Sequence, residues 1–255
     1  MKNTLLPLLE DEFISSMAVC DLTDLTIVLP TYERPTFLLR QIIYLSKWKV
    51  SVEIVDGSFN PLGPQIIKLI EELPHINYQH IRASYTERIF LACARIKTPY
   101  AMCLADDDFY SQSGLESALN KLESDSDLVA VMGQSIGFDQ LKNEFYYFQY
   151  GSSLQNYSII GATPLSRIGE GIKDYRSATS YAVFRSSVFL KVWDNRENMS
   201  CQEAVEYEHA IRTYLYGSLK TTQSLYWLRS FETQPVASPI DGDRALNFEK
   251  WYTDA

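Results

Sequence analysis

Three successive aspartates, Asp106, Asp107 and Asp108, directly follow an apolar run at residues 100–104. Such a run predicts a buried strand, and open α/β sheets bind ligands outside the carboxyl ends of their strands. Adjacent carboxylates repel one another, so a compensating cation is expected, and hard divalent ions such as Mg²⁺ or Mn²⁺ prefer oxygen ligands. The same residues also suit a solvated acidic turn that caps the helix beginning near Ser113. The aspartates therefore indicate either a metal site or an acidic turn.

Two further predicted strands end in polar residues. The strand at residues 26–29 runs into a loop and then a helix, so that backbone N–H groups and an arginine can meet an anionic ligand. The loop consists of Pro30, Thr31, Tyr32, Glu33 and Arg34. The strand at residues 51–55 ends at Asp56, which can accept hydrogen bonds from a base or a ribose. Each segment alone also suits an ordinary turn.

The predicted elements that position these residues alternate regularly between strands and helices. Between residues 25 and 133, short apolar runs alternate with amphipathic segments of helical length, which is typical of a parallel sheet covered by helices. Strands are predicted at residues 25–29, 51–55, 77–81, 100–104 and 128–132. Helices are predicted at residues 36–46, 65–73, 85–96 and 114–123.

The second half of the chain has a different pattern, with polar segments rich in Tyr and Phe. It predicts an antiparallel strand at residues 145–150, a loop at 151–161, a polar segment at 169–180, helices at 186–194 and 202–216, and a last strand at 221–227. No linker marks a firm boundary. We therefore predict one α/β domain in two halves, residues 25–133 and 134–255, after an N-terminal extension at residues 1–24.

Composition narrows the classes of partner. The net charge is −9 and the pI near 4.9, which argues against nucleic acid because phosphate backbones require clustered Lys and Arg. The four cysteines have no CxxC spacing, so a reducing, cytoplasmic compartment is predicted. No stretch approaches the ~20 apolar residues that span a bilayer. A membrane contact, for example at the inner face, would be peripheral or made through a partner domain.

In their order and spacing, the segments at about residues 25–133 resemble the nucleotide-binding half of GT-A glycosyltransferases, particularly the large inverting family 2. The resemblance implies a GT-A fold, in which a Rossmann-like mixed sheet flanked by helices is followed by a C-terminal acceptor-side half. It also implies transfer of a sugar from a nucleotide-sugar donor, with UDP as the expected nucleotide, to a hydroxyl of a glycan or glycolipid. The implied metal cofactor is Mn²⁺ or Mg²⁺.

The resemblance also implies roles for single residues on the donor side. The loop from Pro30 through Tyr32 lies at the base pocket, which Thr31 and either Glu33 or Arg34 line, and Asp56 contacts uracil or its equivalent. Asp106 and Asp108 form the Asp-x-Asp pair that holds the metal and the ribose-diphosphate, although Asp107 can replace either neighbour. Arg88 is the preferred phosphate or sugar contact, and a surface arginine paired with a helix neighbour is the alternative.

The second half resembles the family less clearly. An acidic segment at residues 200–208 looks like the motif that supplies the catalytic base, and Glu206 best suits its spacing to Gly217, with Glu203 and then Glu208 behind it. Acceptor contacts are predicted at Tyr175, Arg176 and Ser177, which a plain loop explains nearly as well. His209 is interpreted as a helix-face residue.

Two other functions compete with glycosyl transfer. A sugar nucleotidyltransferase usually carries a Gly-rich loop after its first strand, and residues 30–35 contain no glycine. The second is a catalytically inactive nucleotide- or glycan-binding module of a larger glycan-synthesis assembly. The predicted activity is therefore inverting glycosyl transfer in polysaccharide biosynthesis, with the binding module as the alternative.

Overall fold

A computed structural model describes residues 20–141, 144–149, 154–194 and 202–232. Within these residues, one mixed sheet of ten strands is flanked by seven α-helices. The strands are β1 (Asp21–Thr31), β2 (Lys49–Asp56), β3 (Ile76–His80), β4 (Tyr100–Cys103), β5 (Phe109–Tyr110), β6 (Leu128–Leu141), β7 (Glu144–Gln149), β8 (Ser158–Ile159), β9 (Val183–Arg185) and β10 (Ser218–Ser230). The helices are α1 (Pro35–Leu45), α2 (Pro64–Glu71), α3 (Tyr85–Cys93), α4 (Gln112–Ser124), α5 (Pro164–Lys173), α6 (Ser186–Trp193) and α7 (Gln202–Tyr216).

The centre of the sheet is apolar on both faces. Ile27, Val28 and Leu29 of β1 are completely buried, as expected for a parallel strand that helices cover on both sides. Helix α1 begins with a proline in its first turn and turns Leu38, Ile42 and Leu45 toward the sheet. The alternation of buried strands and one-sided helices therefore follows directly from the hydrophobic pattern.

The strand order creates a crevice beside β1. The order is β3-β2-β1-β4-β9-β6-β10-β5, with β7 on β6 and β8 on β10. The chain runs outward from β1 to β2 and β3 and then returns to the other side of β1 at β4, and all of these pairings are parallel. Ligands of open α/β sheets bind at such a switch point, outside the carboxyl ends of the strands. Here those ends carry Thr31 and the aspartates that follow β4.

The second half completes the same sheet. Strand β9 pairs antiparallel with both β4 and β6, and β10 runs parallel to β6 and antiparallel to β5. Because β5 begins at Phe109, the carboxyl end of β10 lies against the turn formed by the aspartates. Trp227 and Ser230, at the carboxyl end of β10, are thereby brought next to the aspartates of the donor half.

The five strands and four helices predicted for residues 25–133 are confirmed, although β1 begins earlier, at Asp21, and β6 continues to Leu141. Strand β7 is antiparallel, as predicted. The polar segment predicted at residues 169–180 differs, because helix α5 occupies its first part and a 3-10 helix, Ser177–Tyr181, its last. A capping box between Thr163 and Ser166, with Pro164 in the first turn, starts α5.

Some predicted segments lie outside the described residues, and others differ from the structure in their bounds. Most of the predicted extension at residues 1–24 lies outside the described residues, as do residues 150–153, 195–201 and 233–255. The predicted loop at residues 151–161 contains the short strand β8. The last strand, predicted at residues 221–227, is longer at both ends and runs from Ser218 to Ser230.

Candidate active site

Asp106 lies at the centre of the crevice between β1 and β4. Its Oδ2 accepts a hydrogen bond from the Thr31 hydroxyl (2.7 Å), and its Oδ1 accepts one from Arg34 Nη1 (2.6 Å). Only 4% of the residue is exposed, and burial raises the pKa of its carboxyl group above the usual range. The end of β1 and the turn after β4 are thus joined by two hydrogen bonds that converge on one carboxylate.

Asp107 and Asp108 have different partners. Asp107 accepts a hydrogen bond from Arg34 Nη2 at 2.7 Å. Asp108 instead binds β10, because its Oδ2 accepts from Trp227 Nε1 (2.9 Å) and its Oδ1 from the Ser230 N–H (2.8 Å). Asp108 is 4% exposed, and burial raises its pKa to about 7. The three consecutive carboxylates therefore do not converge on one point.

Helix α1 holds the backbone of this turn. Gln41 Nε2 donates to the carbonyl oxygen of Asp108 (2.5 Å), and Arg40 Nη2 donates to that of Asp107 (3.0 Å). Gln41 is fully buried on the apolar face of α1. A buried polar side chain needs a hydrogen-bond partner, so a glutamine between apolar positions 38 and 42 was a sequence signal that the prediction missed.

A divalent cation does not fit these carboxylates as they are arranged. Arg34 already bridges Asp106 and Asp107 where a shared cation would lie, and Trp227 and Ser230 hold the Asp108 carboxylate toward β10, away from the other two. Within residues 20–141, 144–149, 154–194 and 202–232, no group of three or more His, Cys, Asp or Glu side chains could hold a metal ion. The Asp106/Asp108 metal pair stays a prediction from the resemblance.

A pocket of about 250 Å³ opens beside the crevice. It lies between the loops that follow β1 and β2 and the start of α2. Its walls are formed by Thr31, Glu33, Arg34, Pro35, Leu38, Asp56, Ser58, Asn60, Pro61, Leu62, Gly63 and Ile66. Among the residues predicted to contact the donor base, Thr31, Glu33, Arg34 and Asp56 are all in this wall.

Asp56 is held rigidly in the pocket wall. The Ser58 N–H (2.9 Å) and hydroxyl (2.5 Å) donate to its Oδ1, and the Tyr78 hydroxyl donates to its Oδ2 (2.7 Å). The residue is 1% exposed. A carboxylate oxygen accepts more than one hydrogen bond, so these contacts orient Asp56 and leave it able to accept from a ligand.

The loop after β1 is fixed by its contacts with the loop after β2. Glu33 has a φ of 53°, which is uncommon for a residue other than glycine and is typical of ligand-binding loops. Its N–H donates to the Ser58 hydroxyl (2.8 Å), and its carboxylate accepts from the Phe59 N–H (2.5 Å). Tyr32 packs edge-on against Phe59, with ring centroids 6.1 Å apart. Pro30 lies within β1 opposite Val55.

Arg88 lies beneath the crevice rather than on the surface. It is 5% exposed, and its Nη1 donates to the carbonyl oxygens of Thr31 (2.5 Å) and Val55 (2.8 Å). A side chain on Gly57 would collide with the guanidinium, because a Cβ at that position would lie 2.6 Å from Arg88 Cζ. Arg88 therefore braces the ends of β1 and β2, and its contact with a donor phosphate or sugar stays a prediction.

Tyr181 connects the aspartates to the predicted catalytic helix. Its ring stacks on Trp227, with centroids 4.8 Å apart and planes at 27°, and Trp227 binds Asp108. The pKa of Tyr181 is raised well above its usual value, first by burial and then by neighbouring groups that include Asp108 and Glu206. The 3-10 helix that contains Tyr181 packs against α7, where Glu206 is half-buried.

The other glutamates of α7 differ from Glu206. Glu208 forms an ion pair with Arg212 one turn later (2.7 Å), and Arg212 also donates to the carbonyl oxygen of Asp194. The side chain of Glu203 lies outside the described part of the chain. His209 is buried against the rings of Phe184 and Trp193. Glu206 thus keeps its predicted role as a hypothesis, and His209 packs in the core.

The predicted acceptor residues lie next to α7. Tyr175 packs against Tyr207 of α7, with ring centroids 5.1 Å apart. Arg176 pairs with Asp174 and lies over the ring of Tyr157 (5.8 Å). Ser177 begins the 3-10 helix, and its carbonyl oxygen accepts from the Ser180 hydroxyl.

Sequence reasoning missed the contribution of β10 to the site. Trp227 and Ser230 bind Asp108, and Arg229 lies over the Trp227 ring (5.6 Å). Glu232 accepts from Arg40 Nη1 at 2.7 Å. The bonds to Asp108 and Arg40 join residues more than a hundred positions apart, and a local sequence pattern contains no information about such pairs.

No protein-family model matches the chain, and no curated protein matches it either. Solved structures with a similar fold do exist. S. aureus TarS 1-349 is 14% identical, with a TM-score of 0.58, and the match covers 81% of this chain and 60% of that one. Its complex with UDP-GlcNAc is 15% identical, with a TM-score of 0.58, and covers 84% and 60%. The match to TarS covers 81% of this chain and 36% of that chain, at 14% identity and a TM-score of 0.58.

The chain therefore spans about 60% of the length of the TarS 1-349 structures. Among its described residues, none of the helices has both the length and the apolar character needed to cross a bilayer. The predicted fold is confirmed by these likenesses and by the ten-stranded mixed sheet. The chain has the GT-A fold of the TarS glycosyltransferase structures.

Proposed function

We propose that the chain is a glycosyltransferase that moves a sugar from a nucleotide-sugar donor, UDP-linked, to a hydroxyl group of a glycan or glycolipid. The observation that carries the proposal is the pocket beside the β1–β4 crevice, whose wall contains Asp56, Arg34 and Thr31. The pocket adjoins the switch point between β1 and β4, outside which an open α/β sheet is expected to bind its nucleotide. The fold is shared with TarS, which has been solved in complex with UDP-GlcNAc and with UDP.

In this proposal the uracil base occupies the pocket. Its volume of about 250 Å³ is below the range of about 300–1,000 Å³ that encloses a whole drug-sized ligand. The pocket therefore suits the base and leaves the diphosphate and sugar in the crevice. Asp56 accepts the N–H of the base, and the bonds from Ser58 and Tyr78 keep its carboxylate in place.

The chemical step is a displacement at the anomeric carbon. Glu206 takes the proton from the acceptor hydroxyl as its oxygen bonds to that carbon. The bond from the anomeric carbon to the β-phosphate oxygen breaks, and UDP leaves with the bonding electrons. Attack from the face opposite the leaving group inverts the configuration. The Mn²⁺ or Mg²⁺ predicted from the resemblance would supply positive charge to the diphosphate, but the described carboxylates do not fit it, so this scheme assigns it no step.

Acceptor recognition is assigned to Tyr175, Arg176 and Ser177. The support is their position next to α7, where Tyr175 packs against Tyr207, the neighbour of Glu206. Aromatic rings offer apolar faces to sugars, and arginine offers several hydrogen-bond donors. The proposed acceptor is a glycan or glycolipid of a surface polysaccharide pathway, reached in the cytoplasm or at the inner face of the membrane.

The test is release of UDP from a panel of UDP-sugars by the purified full chain. We expect one donor to be hydrolysed slowly in the absence of an acceptor. Glu206→Gln should lower the rate by about 10²- to 10⁴-fold and leave UDP affinity unchanged. Glu208→Gln is the matched control, because its ion pair with Arg212 lies on the same helix, and it should keep its activity.

The outcomes separate the alternatives. Full activity of Glu206→Gln would show that Glu206 is not the catalytic base. Binding of a UDP-sugar with no release of UDP would favour an inactive binding module instead. NMR of the anomeric configuration of the product then distinguishes inversion from retention.

A further inference from the structure

The position predicted for a divalent cation is occupied by an arginine side chain. One guanidinium bridges two consecutive carboxylates, with Arg34 Nη1 2.6 Å from Asp106 Oδ1 and Nη2 2.7 Å from Asp107 Oδ2. The side chains are only 14%, 6% and 16% exposed, in the order Arg34, Asp106, Asp107. Charge-assisted bonds of this length are strong, and solvent screens them weakly at such exposure.

An aromatic ring and the backbone of its loop also fix the position of Arg34. Arg34 lies over the ring of Phe37, 4.6 Å from its centroid, in a cation–π contact. Its backbone follows Glu33, whose positive φ and hydrogen bonds to Ser58 and Phe59 fix the loop. Arg34 immediately precedes the first residue of α1. The guanidinium is therefore positioned by the fold, in the wall of the base pocket.

A divalent ion would have to displace this arrangement. To bind both Asp106 and Asp107, it would break the two bonds to Arg34 and leave a second cation in the same crevice. Separating the partners of a buried ion pair is strongly unfavourable, because it leaves an uncompensated charge out of water. Asp108 offers no substitute, since Trp227 and Ser230 hold its carboxylate toward β10.

We infer that Arg34 is the resident cation of this site and that a nucleoside diphosphate binds without a divalent metal ion. The inference rests on the proposed function for the identity of the ligand. Arg34 neutralises Asp106 and Asp107, so an anionic diphosphate can approach carboxylates that would otherwise repel it. A guanidinium suits phosphate oxygens because it is planar, always charged and rich in donors.

The first test uses electron paramagnetic resonance to measure Mn²⁺ binding by the nucleotide-free full chain. The wild type should bind no Mn²⁺ at sub-millimolar concentrations, whereas Arg34→Ala should bind one ion because its carboxylates are exposed to it. Arg212→Ala is the matched control. Arg212 also forms a carboxylate ion pair, but with Glu208 on helix α7 and not with the aspartates, so this variant should behave as the wild type.

The second test is calorimetry of UDP binding with EDTA or with Mn²⁺. For the wild type, Kd should change by less than about threefold. For Arg34→Ala, it should weaken at least tenfold in EDTA and recover when Mn²⁺ is added. Arg34→Lys, which keeps the charge but not the bridge, should be intermediate and bind no Mn²⁺.

Stoichiometric Mn²⁺ binding by the wild type would overturn the inference, as would a tenfold loss of its UDP affinity in EDTA. Failure of Arg34→Ala to take up Mn²⁺ also counts against it. If the wild type binds no UDP under either condition, the proposed function fails, and the Mn²⁺ measurement still decides whether Arg34 holds the cation position.

Discussion

The donor side and the acceptor side of the crevice are built differently. On the donor side, Asp56, Asp106 and Asp108 are 1%, 4% and 4% exposed, and each accepts at least two hydrogen bonds. On the acceptor side, Glu206 and Tyr175 are half-buried on a helix and a connecting segment. Side chains that are locked by packing and hydrogen bonds hold a site in one geometry. The comparison teaches that the donor side is preorganised and lies deeper in the protein than the acceptor side.

Asp108 is where the two sides meet, and its ionisation offers the largest effect on stability. Burial raises its pKa in the folded protein to about 7 from 3.8. A carboxyl group whose pKa is raised on folding contributes stability below its unfolded pKa, and this contribution is lost as the pH rises through the folded pKa. The free energy of unfolding should therefore fall by up to about 4 kcal/mol between pH 4 and pH 8.

The measurement is urea unfolding across this pH range for the wild type and Asp108→Asn. The variant cannot ionise at this position, so its unfolding free energy should vary less with pH. An identical pH profile for both proteins would show that Asp108 is not the group responsible.

Removing the bond between Trp227 and Asp108 should weaken the join between the two sides. Trp227→Phe keeps an aromatic ring against Tyr181 but deletes the Nε1 donor. Leaving a buried carboxylate oxygen without this donor should lower the unfolding free energy by about 1–3 kcal/mol. Thermal and urea unfolding provide the measurement.

Tyr226→Phe is the control on the same strand. It loses one bond from its hydroxyl to the carbonyl oxygen of Tyr181 (2.7 Å), for which we expect about 0.5–1.5 kcal/mol. If Trp227→Phe lowers the unfolding free energy by no more than Tyr226→Phe does, the hydrogen bond between Trp227 and Asp108 is not what joins the two sides.

The smallest expected effect is at the base pocket. Tyr78→Phe removes one of the three bonds that orient Asp56, while both bonds from Ser58 remain. A loss of about 0.5–1.5 kcal/mol corresponds to UDP binding weakened by roughly two- to tenfold. Tyr157→Phe is the control, because the Tyr157 hydroxyl contacts Tyr214 on the acceptor side. This variant should leave UDP affinity unchanged when both variants are measured by calorimetry. Equal losses in both variants would contradict a preorganised, separate donor side.

Much of the donor half could be predicted because its signals are local. The strands before Thr31, Asp56 and Asp106 are short apolar runs, and the helices between them have regular apolar faces. Parallel strands bring their carboxyl ends to one edge of a sheet, so polar residues at those ends are expected to meet. The helix α5 was missed, although Thr163, Pro164 and Ser166 provide a local start signal.

The sequence by itself determined which residues stand at the strand ends and that they form the crevice of a GT-A fold. Only the tertiary structure decided how the three aspartates divide their partners: Asp106 and Asp107 to Arg34, and Asp108 to Trp227 and Ser230. The physical reason is that hydrogen-bond pairing in a buried site depends on distances between strands far apart in the chain. The residue types alone indicated either a cation site or an acidic turn at this position, and the fold supplies a cation from an arginine side chain.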